Sequence, residues 1–205
     1  MTEESCDVLV LGIGNILWAD EGFGVRCVEE LDRRWAFPPG VRVMDGGTQG
    51  LYLVHDVRAA RRLIVFDAID YGEEPGTLKL VRDGEVPKFT GAKKMSLHQT
   101  GFQDVLSAAD LLGGAPAEML LIGVQAEVLE DYGGSLTDRV RAQVEPALRV
   151  ALDQLAAWGF RAEERTVPAE GVLHGSLSLS HYEDGRPSAE DACRTGDARF
   201  LPLGA

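Results

Sequence analysis

Three acids and one histidine stand where apolar runs end, and their side chains suit metal or acid–base chemistry. Glu21 follows the run Val8-Leu9-Val10-Leu11 and its glycine turn, and Asp45 closes Val41–Met44. Asp67 closes Leu63–Phe66, and His98 lies in Ser96-Leu97-His98-Gln99, just before a helical pattern. Two carboxylates and an imidazole can bind a divalent metal and leave positions open for another ligand. A carboxylate such as Asp45 or Asp67 can also serve as a general base. Each residue has a plain structural reading as well. Glu21 can favour the positive end of a helix dipole, Asp67 can be a turn acid, and His98 can cap a loop. What joins them is placement, because strands that end on one edge of a parallel sheet bring such groups together.

The elements that must position them alternate along the chain. Val8–Leu11 reads as a buried strand, and Gly12 and Gly14 then permit a sharp turn. Val25, Val28, Leu31 and Trp35 recur at helical spacing, so a helix is expected over Glu21–Trp35, stopped by Pro38-Pro39-Gly40. Val41–Met44 is a second strand, Leu51–Ala60 a helix and Leu63–Phe66 a third strand. Thr77–Val81 reads as an edge strand, and residues 83–97 as a loop. Thr100–Leu112 is helical, with Phe102, Val105, Leu106 and Ala109 on one face, and Met119–Val124 is the last strand. A long closing helix carries Leu136, Val140, Val144, Leu148, Leu152 and Leu155, with Pro146 expected to kink or split it. This order predicts an α/β fold: one three-layer domain with a mainly parallel sheet and helices on both faces. The domain is expected over residues 1–160. Residues 161–205 mix Pro, Gly, Ser and acids, and are expected to be a flexible or weakly docked tail.

Composition narrows the function classes. A formal net charge of -13 opposes broad nucleic-acid binding, which needs a positive face for phosphate, and opposes attraction to an anionic membrane. No apolar stretch approaches the ~20 residues that cross a bilayer. The start Met1-Thr2-Glu3-Glu4-Ser5 is acidic and lacks a basic, apolar leader, so a cytoplasmic protein is expected. Cys6, Cys27 and Cys193 are odd in number and share no CxxC spacing, which reads as buried or spectator thiols.

Other motifs are weaker. Gly12-Ile13-Gly14 invites a dinucleotide reading, but Leu17 stands where the third glycine belongs, and the following acids would repel pyrophosphate. No G-x-S-x-G elbow is present. Asp45-Gly46-Gly47-Thr48 forms a good turn, and its bare backbone can also receive an extended peptide or an anion.

Taken together, these segments resemble the nickel-iron hydrogenase maturation endopeptidases. Gly12-Ile13-Gly14-Asn15-Ile16-Leu17 with Asp20-Glu21-Gly22-Phe23-Gly24-Val25 resembles the family's opening signature. Asp45-Gly46-Gly47-Thr48-Gln49-Gly50, Phe66-Asp67-Ala68 and Ser96-Leu97-His98-Gln99 are similar to its next three motifs. Leu121-Ile122-Gly123-Val124-Gln125 and Glu145-Pro146-Ala147-Leu148 are similar to later segments. The resemblance spans roughly residues 7–159. It implies a twisted five-stranded sheet, and removal of a C-terminal peptide from the precursor of a hydrogenase large subunit after nickel insertion. It implies that Glu21, Asp67 and His98 contact the metal, with nickel contributed by the substrate, and it matches Asp45 to an acid that forms a turn, orients substrate or catalyses. The partner it implies is that precursor, with no nucleic acid and no membrane. Two other readings remain open: a nickel-sensing chaperone without enzymatic activity, and a nucleotide-binding domain.

Overall fold

The computed structural model describes residues 5–89, 97–129 and 131–186, with no side chains described at 88–89 and 97–101. Five strands form the central sheet: β1 (Cys6–Ile13), β3 (Val41–Gly47), β4 (Ala60–Ile69), β5 (Leu78–Arg82) and β6 (Glu118–Gln125). Their order is β3-β1-β4-β6-β5. Every pair is parallel except β5 with β6, so β5 is an antiparallel edge strand. A second, two-residue strand β2 (Trp35–Ala36) pairs with β7 (Glu163–Glu164) apart from this sheet.

Strand alternation divides the core. Val8 and Val10 of β1, Ile64 and Phe66 of β4, and Leu120 and Ile122 of β6 face α1 (Phe23–Arg34) and α6 (Val144–Ala157). Leu9, Leu11, Leu63, Val65 and Leu121 face α2 (Val54–Arg58) and α4 (Leu97–Leu111). The result is the expected three layers. Because the parallel strands are covered on both faces, they read as unbroken apolar runs. Phe102, Val105, Leu106 and Ala109 of α4 all enter the second core, as their spacing predicts.

Several boundaries differ from the sequence expectation. Residues 83–89 form a 3₁₀ turn and a short helix α3 (Val86–Phe89) where a loop was expected; residues 90–96 lie outside the described residues. α4 begins at Leu97, so His98 belongs to its first turn instead of preceding it. Asp45 and Asp67 lie inside their strands, since a parallel neighbour continues the ladder past them. The closing helix is split into α5 (Asp138–Arg141) and α6. Pro146 falls in the first turn of α6, where its missing N–H costs no intrahelical bond.

Beyond Gly159 the chain returns along α1. The Arg165 and Ala169 N–H groups donate to the carbonyls of Arg34 and Arg33 at 2.7 and 2.9 Å. Residues 173–178 then pass the start of α1, and α7 (Leu179–Gly185) follows.

Candidate active site

The chain path creates a crevice at the carboxyl edge of the sheet. β1 connects through α1 to β3 on one side, while β4 leads away toward β5 and β6 on the other. The connections diverge between β1 and β4, and this is where open α/β sheets bind ligands. Glu21 lies on the connection leaving β1, and Asp67 near the end of β4.

Two glycines set how tightly these parts meet. Gly14 has φ 130, and a Cβ there would lie 1.8 Å from the Glu21 carbonyl oxygen. Only glycine allows the 3₁₀ turn Ala19–Gly22, which carries Glu21, to fold back on the strand end. A Cβ on Gly24 would lie 2.2 Å from the Phe66 carbonyl oxygen and 2.3 Å from that of Ile13. The start of α1 therefore rests directly on β1 and β4, beside Asp67.

The neighbouring acids Asp20 and Glu21 have different environments. Asp20 is fully buried. Its carboxylate accepts from the N–H groups of Glu127, Val128 and Thr137 at 2.7–2.9 Å, and from the Thr137 hydroxyl at 3.2 Å. It clamps the loop after β6 against the turn after β1. In the sequence Asp20 is only one of two adjacent acids after the glycine turn; the distant loop that uses it left no local signal. Glu21 is only half-buried.

Asp45 and Asp67 leave the sheet toward opposite layers. Asp67 is buried and alternates with Ala68 and Phe66, so it points to the α4 side with Val65 and Ile69. On that side its charge, together with burial, helps push the Tyr71 phenol well above its ordinary range; burial is the larger cause. Asp45 pairs in register with Gly12, and a bulge follows, with Gly47 opposite Ile13. Its Oδ1 accepts from the Gly47 N–H at 2.8 Å. Burial raises the Asp45 carboxyl above the usual aspartate range; the Gly47 N–H and the positive charge of Arg26 partly offset this. Asp45 also lines a cavity of about 150 Å³ with Gly14, Asn15, Ile16 and Val25. A wider opening of about 480 Å³ lies past the ends of β4 and β6, lined by Asp70 and residues 125–129.

The structure thus brings Glu21 and Asp67 to one crevice and places Asp45 on its α1 side. The backbone of His98 starts α4, which packs on the same layer that Asp67 faces; its side chain lies outside those described. Among the described residues, which exclude that imidazole, no three His, Cys, Asp or Glu side chains are spaced to hold a metal. Cys27 is buried in the core, and burial drives its thiol well above its ordinary value, so it is no nucleophile. Cys193 lies outside the described residues. His55, His174 and His181 are exposed, and none lies on the connections that leave β1 or β4 at the crevice. Sequence reasoning missed Arg26. It is 2% exposed on α1, and only its spacing three residues before Glu29 marks it.

A three-layer α/β domain on a five-stranded, mainly parallel sheet is an architecture shared with a solved endopeptidase. The family model for hydrogenase maturation protease matches residues 25–154. The chain is 64% identical over 196 residues to the hydrogenase expression/formation protein HoxM of Azotobacter vinelandii, covering 96% of this chain and 95% of that one. It is 44% identical over 167 residues to the hydrogenase 2 maturation protease of Escherichia coli K12, covering 80% of this chain and 98% of the relative. The solved structure of the E. coli hydrogenase maturating endopeptidase HybD superposes with a TM-score of 0.74 at 43% identity, over 78% of this chain and 98% of that one. The chain belongs to the hydrogenase maturation protease family, and its activity is that of an endopeptidase. Among the described residues no helix is long and apolar enough to cross a membrane.

Proposed function

We propose that this endopeptidase cuts a C-terminal peptide from the nickel-loaded precursor of a nickel-iron hydrogenase large subunit, and that it recognises the nickel which the precursor itself holds. The observation that supports this reading is the placement of Glu21 on the connection leaving β1 and of Asp67 near the end of β4, at the crevice between those strands, with His98 on α4. The donor set fits a transient contact with a metal owned by another protein. It offers two carboxylates and one imidazole but no thiolate, and cysteines of the precursor supply the softer ligands that nickel retains. Glu21, Asp67 and His98 orient the metal site, and with it the scissile peptide; such orientation can lower a barrier by roughly 7–11 kcal/mol.

Water is the attacking group in this account. Among the described residues, the buried Cys27 thiol is inert, and no serine stands in a nucleophile elbow. Asp45 takes the proton as water adds to the scissile carbonyl carbon, and returns it to the amine leaving group when the C–N bond breaks. Its raised pKa suits both transfers better than an ordinary aspartate. Asp67 is reserved for the metal. The partner is the precursor, without nucleic acid or membrane, and the setting is the cytoplasm.

Intact mass spectrometry of the nickel-loaded precursor, before and after incubation with this protein, tests the reading. Loss of one discrete C-terminal peptide is the expected result. Stable binding with no mass change would favour a nickel-inspecting chaperone.

A further inference from the structure

The segment after Gly159 does more than run along α1, because it completes a cavity. Leu173 and Leu177 line the roughly 150 Å³ space together with Gly14, Ile16, Val25 and Asp45. Leu173 is 8% exposed and Leu177 40%, so the first is anchored and the second stands at the mouth. The wall is held in place by charge. The buried Arg26 and Glu29 form a 2.8 Å ion pair. The Arg26 Nη1 also donates to the Leu177 carbonyl at 2.6 Å, and Glu29 accepts from the Leu179 N–H at 3.2 Å. Farther on, Arg141 and Ser135 hold Glu183, and the Tyr182 hydroxyl donates to the Gly134 carbonyl at 3.2 Å.

The size and lining of the cavity define its occupant. Small-molecule sites usually occupy roughly 300–1,000 Å³, so this one is too small for a nucleotide. Four aliphatic residues, Ile16, Val25, Leu173 and Leu177, line it, with the polar Asn15, Asp45 and Thr48 beside them. One aliphatic side chain fits, carried by a peptide lying past Asp45. We propose that Leu173 and Leu177 close a specificity subsite that takes a single aliphatic side chain of the precursor next to its scissile bond. This rests on the endopeptidase reading above. The family match ends at residue 154, and the E. coli relative spans 98% of its own length on only 80% of this chain, whereas the A. vinelandii relative covers 96% of it. Residues 173–177 thus lie beyond the family match, and a wall built from them deepens the pocket where substrates would be told apart.

The test varies both partners. Nickel-loaded precursors are prepared with each residue flanking the cleavage site changed in turn to Gly, Val, Leu or Trp. They are cut by the wild type, by Leu177→Trp, which fills the mouth, and by Leu177→Ala, which widens it. The account expects the wild type to prefer Val or Leu over Trp and Gly at one flanking position by at least tenfold. At that position Leu177→Trp should turn the preference toward Gly and Leu177→Ala toward larger residues, with other positions unmoved. Thermal melting accompanies each variant; should Leu177→Trp fail to fold, Leu177→Ala decides alone. An unchanged ranking at every position in the folded variants overturns the subsite while leaving the protease intact. If the wild type cuts no precursor, the endopeptidase reading falls and the subsite with it.

Discussion

Helix α1 is held on two sides by different physics. Toward the sheet it buries Phe23, Cys27, Val28 and Leu31 among Val8, Ile64 and Phe66, all apolar and all without a required individual partner. Toward the returning C-terminal segment it offers Arg26 and Glu29, each buried and each tied to a named group about 150 residues away. The apolar side contributes by area, at about 25 cal/mol per Å², and tolerates exchanges that keep volume. The charged side depends on geometry, since removing one member strands the other in a dry place. The helix start, where both sides meet, is also the rim of the crevice. The fold thus uses an adaptable contact to build the domain and an exacting one to finish the site.

The contrast can be broken at its functional end first. His98→Ala and Glu21→Gln should lower precursor cleavage by about 10²–10⁴-fold while leaving thermal melting nearly unchanged. Parallel assays of activity and melting check this, and normal cleavage by His98→Ala would remove that residue from the account. The adjacent acid should behave in the opposite way. Asp20→Ala leaves three loop N–H groups without their acceptor, costing about 3 kcal/mol and lowering Tm by roughly 6–12 °C. A melt that barely moved would mean that the loop after β6 holds itself.

The charged side of α1 is tested next. Deleting residues after 165 should preserve a cooperative unfolding transition, because the sheet and the buried residues of both its clusters lie before that point, with only Val172 of the later segment packed against them. Loss of that transition would show that the segment belongs to the folding unit. In the full chain, Glu29→Gln should speed hydrogen exchange in residues 173–186 while the strands stay protected; uniform protection would mean that Arg26 and Glu29 do not hold the segment.

The smallest effects are in pH, and they have opposite signs. Hydrogen bonding to Arg141 holds the Glu183 carboxyl below its usual range. A depressed carboxyl stabilises the fold above its ordinary pKa and loses that contribution as pH falls through the lowered value. Acid should therefore loosen residues 179–185 before the sheet. The Asp45 carboxyl is raised instead, by burial. Its contribution to stability is present below the ordinary aspartate pKa of about 3.9 and is lost as pH rises through the higher folded value. With Asp45 as the proposed base, cleavage should climb through that same window. The residual cleavage left by Asp45→Asn should lack this acid limb, and a retained limb would assign it to another group.

What the sequence disclosed follows the same division. The runs around Val10, Ile64 and Ile122, and the period of Phe102 to Ala109, announce buried faces because apolar burial repeats with the backbone. Asp45 and Asp67 were legible as acids close to strand ends for the same reason, and Glu21 as an acid at a helix start. Asp20, Arg26 and Glu29 were not, since a buried ion or clamp is defined by its distant partner, and Thr137 or Leu177 leaves no periodic mark near it. The helical start at Leu97 was misjudged because Pro87 and the glycines before it read as loop, and the separation of Asp45 from Asp67 depends on the parity of two strands that neither segment reveals alone.

The central claim, that the crevice reads a metal carried by the substrate, has one direct measurement. Nickel-loaded and metal-free forms of the same precursor are incubated side by side with the wild-type protein and followed by intact mass. The account predicts that only the nickel-loaded form loses its C-terminal peptide, although the two peptide sequences are identical. Equal cleavage of both would contradict metal recognition, and would leave Glu21, Asp67 and His98 as direct catalysts or as structural residues.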